Sequence, residues 1–147
     1  VSTFSACFGE AFLPRHPYVY AKMLAEKTAQ YDANVWLMNT GWTGGKYGVG
    51  SRMSLKDTRQ ILENIHNGSL EKEEYEMVPG FNLSIPKNCD GIKDQSILNP
   101  INTWSDKELF KNTSKKLASQ FINNFKKYES GTPEEVVKNG GPNIGGF

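Results

Sequence analysis

The chain has 147 residues, of which 17 are basic and 16 acidic, so the formal net charge is only +1. This balance gives no long-range attraction for nucleic acid or an anionic membrane surface, and we expect neither as a partner. The length suits one domain, and no apolar run of about 18 residues is present to span a bilayer. Cys7 and Cys89 form no C-x-x-C motif and are too few for a zinc site.

The first half of the sequence predicts one helix, one strand and a glycine-rich segment. Pro17 suits the first turn of a helix, and apolar residues recur at helical spacing from there to about Tyr31. Residues 35–38, Val-Trp-Leu-Met, form a short apolar run with β-favouring side chains and are predicted to be a buried strand. The glycine-rich segment, residues 41–50, comes directly after it.

The second half predicts two helices and two short strands. Ser54 is placed to cap a helix that Gly68 ends. Two short strands are predicted at residues 76–78 and 81–85, and residues 87–103 are predicted to be loop. Ser105 opens a capping box with Glu108 and predicts the start of a long helix with one apolar face. The fold class predicted is therefore α/β, rich in helix and with few short strands.

The glycine-rich segment fits two interpretations. Glycines between a strand and a helix let the backbone pack closely against a ligand, often a phosphate. The known motifs are incomplete, however: Gly45-Lys46 is followed by Tyr47 rather than Ser or Thr, and a dinucleotide fingerprint starting at Gly48 meets Met53 in place of its last glycine. On spacing alone we interpret the segment as a flexible connector.

Arg52, Met53 and Thr58 surround the start of the second predicted helix. An Arg side chain can stack on a base or form a forked pair with oxygens, a Thr hydroxyl can bond a base edge, and Met offers a soft apolar wall. A clamp for a nucleotide base is one interpretation. The other, which these residues alone favour, is an ordinary capped helix with charges on its surface.

The two histidines, His16 and His66, are interpreted as structural residues. His16 precedes Pro17 in a turn, and His66 falls in the last turn of a predicted helix, where its charged form suits the negative end of the helix dipole. No Asp or Ser is spaced to form a recognisable triad with either of them. We therefore predict no catalytic role for either histidine; the resemblance described below likewise implies no catalytic residue in this chain.

Several stretches of the sequence together resemble ATP-dependent phosphoenolpyruvate carboxykinase, and they occur in that family's order over most of the chain. They are TFSACFGEAFL at residues 3–13, NTGWTGG at 39–45, RMSLKDTR at 52–59, IHNGSL at 65–70, FNLSIP at 81–86 and LNPINTW at 98–104. The chain also begins at Val1 rather than Met, so we expect a piece of a larger or processed protein. The resemblance implies that residues 1–147 are the C-terminal part of the family's catalytic, nucleotide-binding domain.

The resemblance implies a cytoplasmic enzyme of gluconeogenesis that converts oxaloacetate and ATP to phosphoenolpyruvate, ADP and CO₂. In the family, the residues in the positions of Arg52, Met53 and Thr58 hold the adenine and ribose of ATP. Residues 3–8 correspond to the end of a mobile active-site lid.

The family's phosphate loop and its ligands for Mg²⁺ and Mn²⁺ have no counterpart here, so the resemblance implies that they lie upstream. The partners implied are ATP or ADP, oxaloacetate, phosphoenolpyruvate and the upstream part of the same enzyme. An alternative from another functional class is a non-catalytic nucleotide-binding or interaction module derived from this family.

Overall fold

The computed structural model describes residues 3–147 and confirms a helix-rich α/β chain with few short strands. The helices are α1 (Pro17–Tyr31), α2 (Leu55–His66), α3 (Pro100–Thr103), α4 (Lys107–Glu129) and α5 (Glu134–Asn139). The strands are β1 (Trp42–Thr43), β2 (Ser51–Arg52), β3 (Tyr75–Val78) and β4 (Leu83–Pro86). Short 3₁₀ helices cover Ala6–Phe8, Glu10–Phe12, Leu70–Lys72, Gln95–Leu98 and Ile144–Gly146. In this described part of the chain, no helix is both long enough and apolar enough to cross a membrane.

Helices α1 and α2 form where the sequence predicts them, because each has a local start signal. Pro17 occupies the first turn of α1, and the Nδ1 atom of His16 accepts a hydrogen bond from the backbone N–H of Tyr18 at 3.2 Å. The hydroxyl of Ser54 accepts from the backbone N–H of Asp57 at 3.0 Å and caps α2. Gly68 follows α2 with a φ of +73°, the left-handed conformation predicted there.

Three predictions about secondary structure are wrong. Residues 35–38 form neither strand nor helix, and the side chains of Val35 and Leu37 are exposed. The cap of α4 is Asp106 rather than Ser105, since the carboxylate of Asp106 accepts from the backbone N–H of Leu109 at 2.8 Å. Residues 87–103 are only partly loop, because they contain a 3₁₀ helix and α3.

The four strands form two separate antiparallel pairs. Strand β3 pairs with β4 in a register that places Tyr75 opposite Pro86 and Val78 opposite Leu83, close to the predicted positions of the two strands. Strand β1 pairs with β2, with Trp42 opposite Arg52. This second pair leads directly into α2 and positions the candidate site.

The described chain divides into two compact units. One contains residues 3–38 and 120–141, and the other contains Asn39–Ser119 and Pro142–Phe147. The second unit has a polar contact in its interior: the amide of buried Asn64 donates to the Sγ atom of Cys89 at 3.0 Å and to the carbonyl of Asp90 at 2.7 Å. Burial raises the pKa of the Cys89 thiol. Cys89 is a free cysteine that is buried in the interior of this unit.

Candidate functional site

The candidate site lies where the β1–β2 hairpin meets the start of α2. Arg52 ends β2, and the backbone N–H of the next residue, Met53, still donates to the carbonyl of Gly41 at 3.0 Å. Ser54 follows immediately as the cap of α2. The hairpin ladder and the helix cap therefore fix the backbone on both sides of Met53, and no free linker separates them.

The glycine-rich segment is an ordered hairpin, so its interpretation as a flexible connector is wrong. The backbone N–H groups of Val49 and Gly50 both donate to the carbonyl of Lys46, at 2.9 and 3.0 Å. A Cβ atom on Gly50 would lie 2.2 Å from the carbonyl oxygen of Thr43, so only glycine fits there. The close approach of the two strands therefore explains at least one of the glycines without any ligand.

A hydroxyl from a distant part of the chain holds the base of this hairpin. The Thr103 Oγ1 atom accepts a hydrogen bond from the Thr43 hydroxyl and another from the backbone N–H of Gly44, each at 2.9 Å. It also donates to the carbonyl of Pro100 at 2.9 Å, so all of its hydrogen-bonding capacity is used. Sequence reasoning missed Thr103, because the contact joins residues about sixty positions apart.

Of the three predicted site residues, Arg52 is exposed, whereas Met53 and Thr58 are half-buried. Arg52 takes part in none of the ion pairs formed within residues 3–147. The Thr58 backbone N–H donates to the carbonyl of Ser54 at 3.0 Å, one turn into α2, and none of the hydrogen bonds among the described residues engages its hydroxyl. The guanidinium and the hydroxyl are thus both available to a ligand at one end of α2.

Trp42 is a neighbour of Arg52 that sequence reasoning did not select. Directly opposed residues of an antiparallel pair have their side chains on the same face, so Trp42 and Arg52 share a face of the hairpin. The Trp42 ring meets the exposed Tyr47 ring edge to face, with centroids 5.0 Å apart. The β1–β2 register is the signal that identifies this aromatic pair, and it comes only from the structure.

The charges around the site favour an anionic ligand. Between Lys46 and Arg59 the sequence contains four basic residues and one acidic residue, although the whole chain is almost neutral. The acidic residue, Asp57, accepts a hydrogen bond from the Ser54 hydroxyl at 2.7 Å as part of the α2 cap. Within residues 3–147 no three His, Cys, Asp or Glu side chains are grouped closely enough to hold a metal ion.

The two histidines lie away from this hairpin in the sequence, and His16 has structural contacts. His16 caps α1, and its ring meets the Tyr128 ring edge to face with centroids 6.1 Å apart. His66 is exposed in the last turn of α2, as predicted.

Comparison with known proteins supplies the family. A sequence model described as phosphoenolpyruvate carboxykinase matches residues 1–95. The chain therefore belongs to the phosphoenolpyruvate carboxykinase family.

The relatives it matches are named as the ATP-dependent enzyme. The phosphoenolpyruvate carboxykinases (ATP) of Campylobacter lari and Sulfurimonas denitrificans are each 52% identical over 144 residues, which is 98% of this chain and 27% of each relative. That of Caldanaerobacter subterraneus subsp. tengcongensis is 51% identical over 141 residues, 96% of this chain and 26% of the relative. The chain thus spans about a quarter of the length of these relatives.

Proposed function

We propose that this chain is the C-terminal portion of an ATP-dependent phosphoenolpyruvate carboxykinase that acts in gluconeogenesis in the cytoplasm. The observation that supports this most directly is the identity of 52% with the Campylobacter lari enzyme over 98% of the chain. In the proposed reaction, a C–C bond of oxaloacetate breaks to release CO₂ and leave an enolate. The enolate oxygen then bonds to the γ-phosphorus of ATP, and ADP leaves.

The proposed role of this segment is to hold the adenine and ribose of ATP. The Arg52 guanidinium supplies a planar cationic fork, Met53 an apolar wall and Thr58 a hydroxyl for the base or sugar. Support comes from the exposure of Arg52, from the uncommitted Thr58 hydroxyl, and from the local excess of basic residues. Residues 3–8 are proposed to be the end of a lid that closes over the active site.

The proposed enzyme uses Mg²⁺ and Mn²⁺, which neutralise charge on the transferring phosphoryl group when bound. The described residues of this chain offer no cluster that fits such an ion. By the resemblance to the family, we propose that the metal ligands lie in the upstream polypeptide.

The assignment of Arg52 is tested in the full-length enzyme that contains this sequence. Arg52→Ala is expected to raise the Michaelis constant for ATP at least about tenfold, because a hydrogen bond to a charged group contributes about 1.5–3 kcal/mol. The Michaelis constant for oxaloacetate is expected to change little. The control is Arg15→Ala, because Arg15 is also exposed and forms no ion pair among the described residues. An unchanged ATP dependence in Arg52→Ala would remove Arg52 from the site.

The Thr58 hydroxyl is tested by a pair of substitutions that separate its chemistry from its shape. Thr58→Val keeps the volume but removes the hydroxyl, and is expected to raise the ATP Michaelis constant by about 2- to 10-fold. Thr58→Ser keeps the hydroxyl and is expected to restore most of the affinity. If Thr58→Val and Thr58→Ser raise the ATP Michaelis constant equally, the Thr58 side chain contributes packing rather than a hydrogen bond.

Equilibrium binding of labelled ATP separates this function from a free-standing nucleotide-binding module. If the chain is a portion of the enzyme, ATP is expected to bind weakly to the 147-residue chain alone. It is expected to bind tightly once the upstream polypeptide is present. Tight binding by the chain alone would favour the module.

A further inference from the structure

The carboxylate of Glu10 receives hydrogen bonds from two separate parts of the chain. Its Oε1 atom accepts from the Tyr128 hydroxyl and from the Lys127 ammonium, the latter at 3.1 Å, and both donors lie in the last turn of α4. Its Oε2 atom accepts from the backbone N–H of Ala6 at 3.4 Å. One side chain therefore fastens the segment at residues 5–10 to the end of α4.

The ion pair of Glu10 is less open to solvent than the others. The Glu10 side chain is 36% exposed, whereas the acidic side chains of the other ion pairs formed within residues 3–147 are 61–82% exposed. Exposed pairs contribute little because solvent screens them, but a charge-assisted hydrogen bond becomes stronger where less water competes for it. Among these pairs, that of Glu10 is therefore the best suited to hold backbone in position.

The segment at residues 5–10 contains a backbone conformation that needs such support. Cys7 has a φ of +51°, in the left-handed region that residues other than glycine rarely adopt. A strained conformation of this kind persists only where the surrounding contacts hold it. Two contacts do so here: the Glu10 carboxylate accepts from Ala6, and the Glu10 backbone N–H donates to the Ser5 hydroxyl at 3.2 Å. Both contacts involve Glu10.

An aromatic contact gives this part of the chain a second attachment to α4. The Phe4 ring meets the Phe121 ring edge to face, with centroids 5.1 Å apart. Phe121 and Tyr128 are seven positions apart and therefore lie on the same face of the helix, two turns from each other. The polypeptide on both sides of Cys7 is thus joined to one face of α4.

We propose that Glu10 is a positioning residue that anchors the end of the active-site lid to α4 through Tyr128. The inference rests on the proposed function, in which residues 3–8 are the end of that lid. When a lid closes, a few hinge residues absorb the change in backbone angles, and they need a fixed support next to them. Cys7 lies on the lid side of this anchor, and Glu10 acts through the backbone there rather than on the reacting groups.

A side reaction with water reports on this anchor. Breaking the C–C bond of oxaloacetate releases CO₂ and leaves an enolate, and with the lid closed the enolate oxygen bonds to the γ-phosphorus of ATP. If water enters, the enolate carbon instead takes a proton from water, which gives pyruvate and hydroxide and leaves ATP intact. Since a closed site prevents such side reactions, the ratio of pyruvate to phosphoenolpyruvate measures how well the lid closes.

Two variants of the full-length enzyme test the proposal. Glu10→Gln keeps the size of the side chain and removes its charge, whereas Tyr128→Phe removes only the hydroxyl that holds the carboxylate. Each is expected to raise the ratio of pyruvate to phosphoenolpyruvate by about 3- to 10-fold, the effect of losing one hydrogen bond of this kind. The double variant is expected to exceed the larger single effect by little, because both changes remove the same contact.

The product ratio separates positioning from stability. Partial unfolding lowers the amounts of both products in proportion and leaves their ratio unchanged. The control is Glu134→Gln, which breaks an exposed ion pair with Lys138 in the same compact unit and is expected to keep the wild-type ratio. An unchanged ratio in both Glu10→Gln and Tyr128→Phe would overturn the proposal, even if their melting temperatures fall. Where Glu10→Gln does not fold, Tyr128→Phe alone decides.

Hydrogen exchange in the full-length enzyme locates the effect. In Glu10→Gln the amides of residues 6–9 are expected to exchange at least about tenfold faster than in the wild type, whereas those of α2 keep their rates. Faster exchange with an unchanged product ratio would show that Glu10 orders the segment without controlling the lid, and the proposal fails. A wild-type enzyme that forms no phosphoenolpyruvate from oxaloacetate and ATP refutes the proposed function and the anchor with it. An active wild type whose ratio neither variant changes refutes the anchor alone.

Discussion

Glu10 joins two stretches of one compact unit that lie far apart in the sequence. Its Oε1 atom accepts hydrogen bonds from the hydroxyl of Tyr128 and from the ammonium of Lys127, the latter at 3.1 Å. Its Oε2 atom accepts from the backbone N–H of Ala6 at 3.4 Å. The Tyr128 hydrogen bond, followed by that of Lys127, lowers the pKa of Glu10 below its ordinary value. The carboxylate thereby connects residues 6–10 to the end of α4.

We predict that Glu10 and Tyr128 stabilise the chain as a coupled pair. Glu10→Gln and Tyr128→Phe are each expected to lower the melting temperature, and the double variant is expected to lower it by less than the sum of the two, because one interaction is removed twice. The control is Glu108→Gln, which breaks the exposed Glu108–Lys111 pair on α4 and is expected to have little effect. If the two single substitutions lower the melting temperature by amounts that add up to the effect of the double substitution, the two residues act independently.

The pH dependence of stability provides a separate prediction for Glu10. A carboxyl whose pKa is lowered by folding adds stability above its unfolded pKa, about 4.5, and that stability is lost as the pH falls through the lower folded value. The difference in urea midpoint between wild type and Glu10→Gln is therefore expected to be largest near pH 7 and to shrink below about pH 4.5. Other carboxyl groups cancel in this difference. A difference that stays constant down to pH 3 would contradict the assigned cause.

The β1–β2 hairpin is the element on which the candidate site depends. Gly50 lies two residues before Arg52, and a Cβ atom there would meet the backbone oxygens of Thr43 and Gly45 at 2.2 and 2.7 Å. Because backbone atoms cannot rotate away, Gly50→Ala is expected to cost about 1–3 kcal/mol or more and to displace Arg52.

For Gly50→Ala, the free energy of unfolding is expected to fall. The ATP Michaelis constant of the full-length enzyme is expected to rise. Gly141→Ala is the control, because an added Cβ at Gly141 meets no atom within 4 Å. Normal ATP affinity in a destabilised Gly50→Ala enzyme would show that the geometry of the hairpin does not contribute to ATP binding.

The elements that the sequence predicted correctly are those whose signals are local. Pro17 and Ser54 start their helices through atoms a few residues away, so α1 and α2 were predictable. Ser105 and Asp106 are adjacent and equally good capping residues, so the sequence could not choose between them. The strand prediction for residues 35–38 is wrong because a strand needs a hydrogen-bonded partner strand, and the sequence of the segment itself does not provide one.

The same distinction applies to the candidate site. Arg52, Met53 and Thr58 were predictable because they lie within seven positions of one another at one helix start. Trp42 joins them only through the β1–β2 register, and Thr103 only through a hydrogen bond across about sixty residues. Periodicity and capping patterns carry no information about either contact.

At the scale of the whole molecule, much apolar surface stays open to solvent. In the described residues the buried apolar side chains are Leu70, Cys89, Ile92 and Ala118. Leu117 and Phe121 of α4 remain 41% and 44% exposed. Because the chain spans about a quarter of its relatives, this surface fits a segment that is stabilised by further polypeptide of the same enzyme.

The last prediction is that the 147-residue chain alone has no turnover. Phosphoryl transfer requires cationic groups and metal ions around the γ-phosphate, and the resemblance to the family assigns these to upstream polypeptide. Oxaloacetate-dependent ADP formation by the chain is therefore expected to equal the buffer background, whereas the full-length enzyme is expected to form ADP and phosphoenolpyruvate in equal amounts. Arg52→Ala in the isolated chain controls for a contaminating enzyme, since it cannot alter a contaminant. Turnover by the chain that Arg52→Ala abolishes would show that residues 1–147 contain a complete active site.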